Sequence, residues 1–199
     1  KYGIGCFSKE AYDFVDQLKK AGQQYWQILP LGPTGYGDSP YQSVSTFAGN
    51  PYFIDLETLI DKKLLTKEEC ESCDWGGSES YVDYEKMYLS RYKLLRKAYE
   101  RADLKNDPDY AVFLKKEKDW LLDYCLFMAI KNAQNGKCWI DWPEELKDRH
   151  SKAVKEAEKE LAEEVGFYSF QQYCFTTQWN KLKEYANEKG IQIIGDVPI

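Results

Sequence analysis

Two short apolar runs, Tyr25 to Leu31 and Ile191 to Val197, constrain the fold of this chain more than any other feature. Each is too short for a helix of useful length, and the second is β-branched almost throughout. Each comes after a helical pattern closed by a glycine, Gly22 in the first case and Gly190 in the second. Two buried strands, each entered from a helix, predict a parallel sheet and an α/β fold. Helical patterning dominates the long stretch between them, far beyond the length of an ordinary crossover. We therefore expect an inserted helical subdomain over 61–166, flanked by a first sheet-bearing part, 1–60, and a return to the sheet, 167–199.

The first strand empties into a loop punctuated by Gly32, Pro33, Gly35, Gly37, Pro40, Gly49 and Pro51. Between these lie Tyr36, Asp38, Ser39, Tyr41, Gln42 and Asn50. Aromatic rings mixed with small polar groups suit a polar ligand that has apolar faces. A mere connector would be built from Lys, Glu and Ser. Loops of this kind, placed after strands, form the binding faces of α/β enzymes. The second strand ends in Asp196. A carboxylate there either points into a site at the C-terminal mouth of the sheet or caps a following helix. Position alone leaves both open.

The helices can be read in order. Ser8 is an N-cap candidate for residues 8 to 22, where Ala11, Phe14, Val15 and Leu18 form one apolar stripe. Thr66 and Glu69 have capping-box spacing. A helix is expected from Tyr84 to Ala102. Asp107 should cap a second, with Pro108 in its first position, running to Asn135. Trp139 to Pro143 reads as an aromatic turn and Pro143 as the start of a short helix. Ala153 to Val165, charged along its length, is expected to stop at Gly166, and Phe167 to Lys189 forms the last helix.

With 27 basic and 33 acidic residues the net charge is −6. No basic cluster exists that could neutralise a phosphate backbone, so a nucleic-acid partner is not expected. No apolar run approaches the ~20 residues that span a bilayer, so no membrane partner is expected either. Cys70 and Cys73 form the single C-x-x-C pair among six cysteines, and His150 is the only histidine. That is short of a zinc ligand set, so no metal is expected. Free thiols in a reducing cytoplasm are the ordinary reading, and His150, inside Lys147-Asp148-Arg149-His150, reads as a solvated surface residue. Trp139 and Trp142 fit packing better than a groove.

The run AGQQYWQILPLGPTGYGDSPYQSVSTFAGNPYFIDLETL, and again QWNKLKEYANEKGIQIIGDVPI near the other end, closely resembles the 4-α-glucanotransferases of glycoside hydrolase family 77. Between the two the likeness is looser but keeps its order. The resemblance implies a partial (β/α)8 TIM barrel, N-terminal strands only, carrying a large α-helical insertion. It implies a parent enzyme that moves α-1,4-glucan segments between maltooligosaccharides by retaining double displacement, without cofactor or metal. Asp196 would then support the sugar subsite where cleavage occurs, and Tyr41 would be the stacking platform there, with Ser39 nearby. Tyr36 resembles a family position that contacts glucan at a secondary groove outside the active site, with Asp38 beside it in the same loop. The family's nucleophile, acid/base and stabilising carboxylates come from later strands, so no catalytic residue is expected in this sequence. The expected partners are α-1,4-glucans, maltooligosaccharides and the remainder of the same barrel. The sequence thus reads as an N-terminal fragment, inactive alone. The rival readings are a non-catalytic α-glucan-binding or interaction module derived from the same fold and an unrelated α/β hydrolase or phosphate binder. The second lacks the G-x-S-x-G or phosphate-loop glycines it would need.

Overall fold

The computed structural model describes residues 1–78 and 80–198. It is mostly helical, with one two-stranded sheet among the described residues. Helix α1 (Lys9–Lys20) leads into strand β1 (Tyr25–Gln27). A long loop and a 3-10 turn, Pro51–Phe53, precede α2 (Leu56–Asp61) and α3 (Lys67–Glu71). Then come α4 (Tyr84–Arg101), α5 (Pro108–Lys116), α6 (Leu121–Ala133), α7 (Glu144–Lys147), α8 (Ser151–Glu160) and α9 (Ala162–Glu188), before β2 (Gln192–Ile194). The strands are parallel, in register Tyr25 with Gln192, Trp26 with Ile193 and Gln27 with Ile194. Two flanking bonds lengthen the ladder, Gln192 N–H to the Gln24 carbonyl at 2.8 Å and Ile28 N–H to the Ile194 carbonyl at 2.9 Å.

Two compact units result, Lys1–Asp103 with Cys174–Ile199, and Leu104–Tyr173. In the first, Val15, Ile54, Leu56, Leu59, Met87, Leu94, Leu95 and Leu182 are buried. Tyr12 meets Tyr185 edge-on, and the Tyr185 hydroxyl donates to Asp16 at 2.9 Å, which ties α1 to α9. In the second unit, Leu126, Ile130, Trp142 and Ala157 form a small core, flanked by Phe127, Leu146, Val154 and Leu161. No helix among the described residues is long and apolar enough to cross a membrane.

The caps are where local chemistry puts them. Thr66 and Glu69 form the reciprocal capping box, and Asp107 accepts from the backbone N–H of Asp109 and Tyr110, with Pro108 at the first position. Ser8 stands at the N-cap of α1, but its hydroxyl donates to the Glu10 carboxylate instead of receiving a backbone N–H.

Three expectations need correction. The strands are three residues long, not seven, and the apolar runs that contain them are half-exposed, not buried: Tyr25 is 55%, Leu29 58%, Ile194 46% and Val197 68% exposed. Pro30 has no N–H to lend a ladder. Trp26, on the covered face, packs edge-on against Phe14 at 5.3 Å, so only alternate side chains gain cover. The helix expected from Tyr110 to Asn135 is two helices, α5 and α6. The chain breaks at Trp120, whose indole N–H donates to the Glu117 carboxylate at 2.8 Å. Gly166 ends nothing: it lies inside α9, which begins at Ala162. Burial of Phe167, Tyr168 and Phe170 on the next turn outweighs the ~1 kcal/mol that a mid-helix glycine costs.

Candidate functional site

The loop after β1 is closed at its base by the Asn50 N–H donating to the Leu31 carbonyl at 2.8 Å. Inside it, Thr34 and Ser43 make an isolated antiparallel bridge, so residues 35–42 form a small lobe. Gly37 and Asp38 both have positive φ, 88° and 54°. This tight reversal explains a glycine at one of them and an Asp, which tolerates the left-handed region, at the other. The Asp38 carboxylate accepts from the Thr34 hydroxyl at 3.4 Å, a long contact. Ser39 turns the chain: its hydroxyl accepts from Tyr41 N–H at 3.3 Å and its carbonyl from Gln42 N–H at 3.1 Å. Gly32 is needed for close approach, because a Cβ there would stand 2.7 Å from the Ser43 hydroxyl.

That turn delivers Tyr41 to Asp196. The phenol donates to Asp196 Oδ2 at 2.9 Å across a sequence separation of 155 residues. The other carboxylate oxygen accepts the Val197 N–H at 2.8 Å. Asp196 sits just past β2 and Tyr41 on the loop just past β1. Parallel pairing puts both at the same edge of the sheet. Both side chains remain open to solvent. The hydrogen bond to Asp196 pushes the Tyr41 phenol above its usual range, because ionising it would place two negative charges together. The pair therefore offers an aromatic face beside a hydrogen-bond acceptor. That suits the C–H face and hydroxyls of a sugar. One carboxylate can bind and orient; cleaving a glycosidic bond with retention takes two, ~5 Å apart.

Of the other expected residues, Ser39 lies in the turn behind Tyr41, and Tyr36 is fully exposed at the tip of the lobe. Trp139 is half-exposed, while Trp142 is buried, packs at a tilt against Phe127 with ring centroids 5.2 Å apart and donates to the Lys137 carbonyl. Both belong to the second unit. His150 is exposed. Cys70 is buried, which pushes its thiol up to about 11, and Cys73 bonds the Glu69 carbonyl at 3.4 Å. Among the described residues no three His, Cys, Asp or Glu side chains gather as metal ligands.

The sequence reading missed Arg91 and Gln178, polar side chains buried beneath the loop's exit. A signal existed. Met87, Arg91, Leu94, Leu95 and Ala98 share one face of α4, so Arg91 occupies a core position.

The family model described as 4-alpha-glucanotransferase matches residues 1–199. The 4-alpha-glucanotransferase of Clostridium butyricum is 50% identical over 199 residues, covering 100% of this chain and 41% of its own length. That of Thermus thermophilus is 48% identical over 202 residues, covering 100% and 39%. Among solved structures, the amylomaltase from Streptococcus agalactiae in complex with acarbose superposes with a TM-score of 0.93 at 39% identity, covering 98% of this chain and 40% of that one. The chain thus spans about two fifths of the length of the relatives it matches.

Proposed function

The chain belongs to the 4-alpha-glucanotransferase family, and we propose that the full-length protein transfers α-1,4-glucan segments between maltooligosaccharides. The observation that carries this reading is the 2.9 Å hydrogen bond between Tyr41 and Asp196 at one edge of a parallel sheet. That the Streptococcus agalactiae amylomaltase was solved in complex with acarbose supports a carbohydrate ligand.

In the proposed mechanism the Tyr41 ring supports the C–H face of the sugar at the bond to be broken. Asp196, held by the phenol and by Val197 N–H, accepts a sugar hydroxyl and fixes the ring's orientation. The nucleophilic carboxylate and the carboxylic acid belong to strands outside this sequence. The first forms a glycosyl-enzyme while the second protonates the leaving oxygen, and the 4-hydroxyl of an acceptor glucan then replaces water. Ser39 keeps Tyr41 in place, and Tyr36, free at the lobe's tip, offers a further stacking surface for a longer glucan.

The same reading makes β1 and β2 two staves of a (β/α)8 barrel, with the helical block between them as an insertion. The exposed Tyr25, Leu29, Ile194 and Val197 support it, since parallel sheets are ordinarily covered on both faces. We place the protein in the cytoplasm, where its six free thiols would stay reduced.

The test is disproportionation of maltotriose by the full-length protein, with glucose release as the readout. Asp196→Asn and Tyr41→Phe should each lower the rate by roughly tenfold or more, the scale of one transition-state hydrogen bond, and the 1–199 chain alone should give no product. Unchanged turnover in both variants would overturn the reading. Unchanged turnover in Tyr41→Ala with weaker retention on immobilised glucan would favour a binding module.

A further inference from the structure

The exit of the Tyr41 loop is held by two side chains whose burial needs a reason. Arg91 is fully buried on the core face of α4, among Met87, Leu94 and Leu95. Its Nη1 donates to the Ile54 carbonyl at 2.5 Å. The Cys6 thiol and the Asp55 carboxylate are its electrostatic neighbours, and Nε and Nη2 make no regular hydrogen bond among the described residues. Asp55 is already engaged: its carboxylate accepts from Glu57 N–H, Thr58 N–H and the Thr58 hydroxyl. Gln178, buried on α9, grips the next residue from the other side. Its Oε1 accepts the Asp55 N–H at 2.6 Å and its Nε2 donates to the Asp55 carbonyl at 3.2 Å.

So three consecutive backbone groups, Ile54 C=O, Asp55 N–H and Asp55 C=O, are satisfied by side chains from two helices. If packing were the only demand at position 91, an apolar side chain would meet it with no guanidinium to desolvate, and such replacements are often neutral or stabilising. A buried, half-satisfied guanidinium makes sense where the geometry of what it holds matters. What it holds is the first fixed point after the loop. Upstream of Ile54, Asn50 accepts the Tyr52 N–H at 3.0 Å and closes the base against Leu31, and Gly49 lies tight on Phe175. At its other end the loop leaves the sheet at Ile28, bonded to Ile194. Tyr41 lies on the loop between these two anchors.

We propose that Arg91 and Gln178 are positioning residues that fix the register of the Tyr41 loop against Asp196, an inference that rests on the glucan-transfer reading. Neither touches the sugar. They act through the backbone at 54–55, and through it on the place where the phenol meets the carboxylate.

The experiment uses the full-length protein with Arg91→Met, which keeps the stem and removes the donors. Backbone hydrogen exchange, followed by mass spectrometry, should quicken about tenfold or more over 34–43 and 50–55 and stay unchanged over α6. In maltotriose disproportionation kcat should fall about tenfold at a matched concentration of folded enzyme. The same substitution should cost less than about twofold when Tyr41→Phe is already present, because the phenol it positions is gone. Arg91→Lys, which keeps one donor for Ile54, should recover part of the loss. Gln178→Leu should reproduce the pattern and stands in if Arg91→Met does not fold. Unchanged exchange over 34–43, or kinetic losses that multiply with Tyr41→Phe, would overturn the proposal. An inactive wild type would remove the transfer reading instead, with the exchange data still deciding whether the clamp exists.

Discussion

Gly49→Ala tests how tightly the loop's exit is fitted. A Cβ on Gly49 would come closer than 3.0 Å to Cδ1, Cε1 and Cγ of Phe175. Carbon atoms rest at ~3.5–4.0 Å, so something must move by roughly 1.5 Å. The ring has little freedom. Phe175 is buried and meets Phe7 edge-on at 5.1 Å, and the Phe7 ring leans on Trp179 at 5.5 Å and Phe53 at 5.9 Å. The Phe7 N–H is bonded to the Phe53 carbonyl at 2.9 Å. The backbone must then shift, and it carries the Asn50 bond to Leu31 with it. Gly49 does not have positive φ, so a loss would be steric and not conformational. Overpacking of this kind costs ~1–3 kcal/mol, which a thermal scan reads as a fall of ~2–12 °C for a unit of this size. Phe175→Leu removes the obstructing ring edge. In Gly49→Ala/Phe175→Leu the two losses should therefore fail to add, with an interaction of at least ~0.5 kcal/mol. A Gly49→Ala protein that melts with the wild type, or strict additivity, refutes the steric argument.

The Arg101 guanidinium, with the Thr66 N–H and Lys97 beside it, holds the Glu69 carboxyl well below the usual carboxylate range. A depressed value means that the unfolded chain takes up the proton first, so this stabilisation is whole above the ordinary Glu value of ~4.3 and fades as pH falls below it. Glu69→Gln should lower the melting temperature at pH 7 and converge on the wild type in acid; a gap independent of pH would contradict the pairing. Burial pushes the thiols of Cys70 and Cys125 up to about 11 and about 12, whereas Cys138 is exposed. Iodoacetamide at pH 8 should therefore alkylate Cys138 first and the other two only in denaturant, as peptide masses would show; equal labelling of Cys70 and Cys138 would rule this out.

The features legible in the sequence were those decided within a few residues, or by order alone. The capping box at Thr66 and Glu69 and the Asp107-Pro108 start of α5 are local contacts. The break between α5 and α6, where the Trp120 indole reaches Glu117, has no glycine or proline to announce it, and the passage of α9 through Gly166 goes with burial of the residues that follow. That Tyr41 and Asp196 would share one site was implied by the family resemblance, since position alone left Asp196 open between a site and a helix cap; the structure brings the two side chains to hydrogen-bond distance. Arg91 was overlooked because a charged residue in a helix is read as surface unless its place on the apolar stripe is checked.

The mistaken burial of the strands has a physical reading of its own. Side-chain chemistry records the environment a strand is made for, and β-branched runs such as Ile191-Gln192-Ile193-Ile194 are made for cover on both faces. Among the described residues one face is covered, by α1 through the Phe14–Trp26 contact. A ladder of three paired positions gives little stiffness on its own, and isolated two-stranded sheets are marginal. Yet Tyr41 and Asp196 meet at hydrogen-bond distance at its end. The precision of that meeting must come from elsewhere: from Asn50 closing the loop on Leu31, from Gly49 seated on Phe175, and from side chains of α4 and α9 gripping residues 54 and 55. In the barrel reading, further strands would stiffen the sheet, whereas the far end of the loop is already held within this chain at Asn50, Ile54 and Asp55. The helices are therefore the part of this chain on which the aim of the phenol depends.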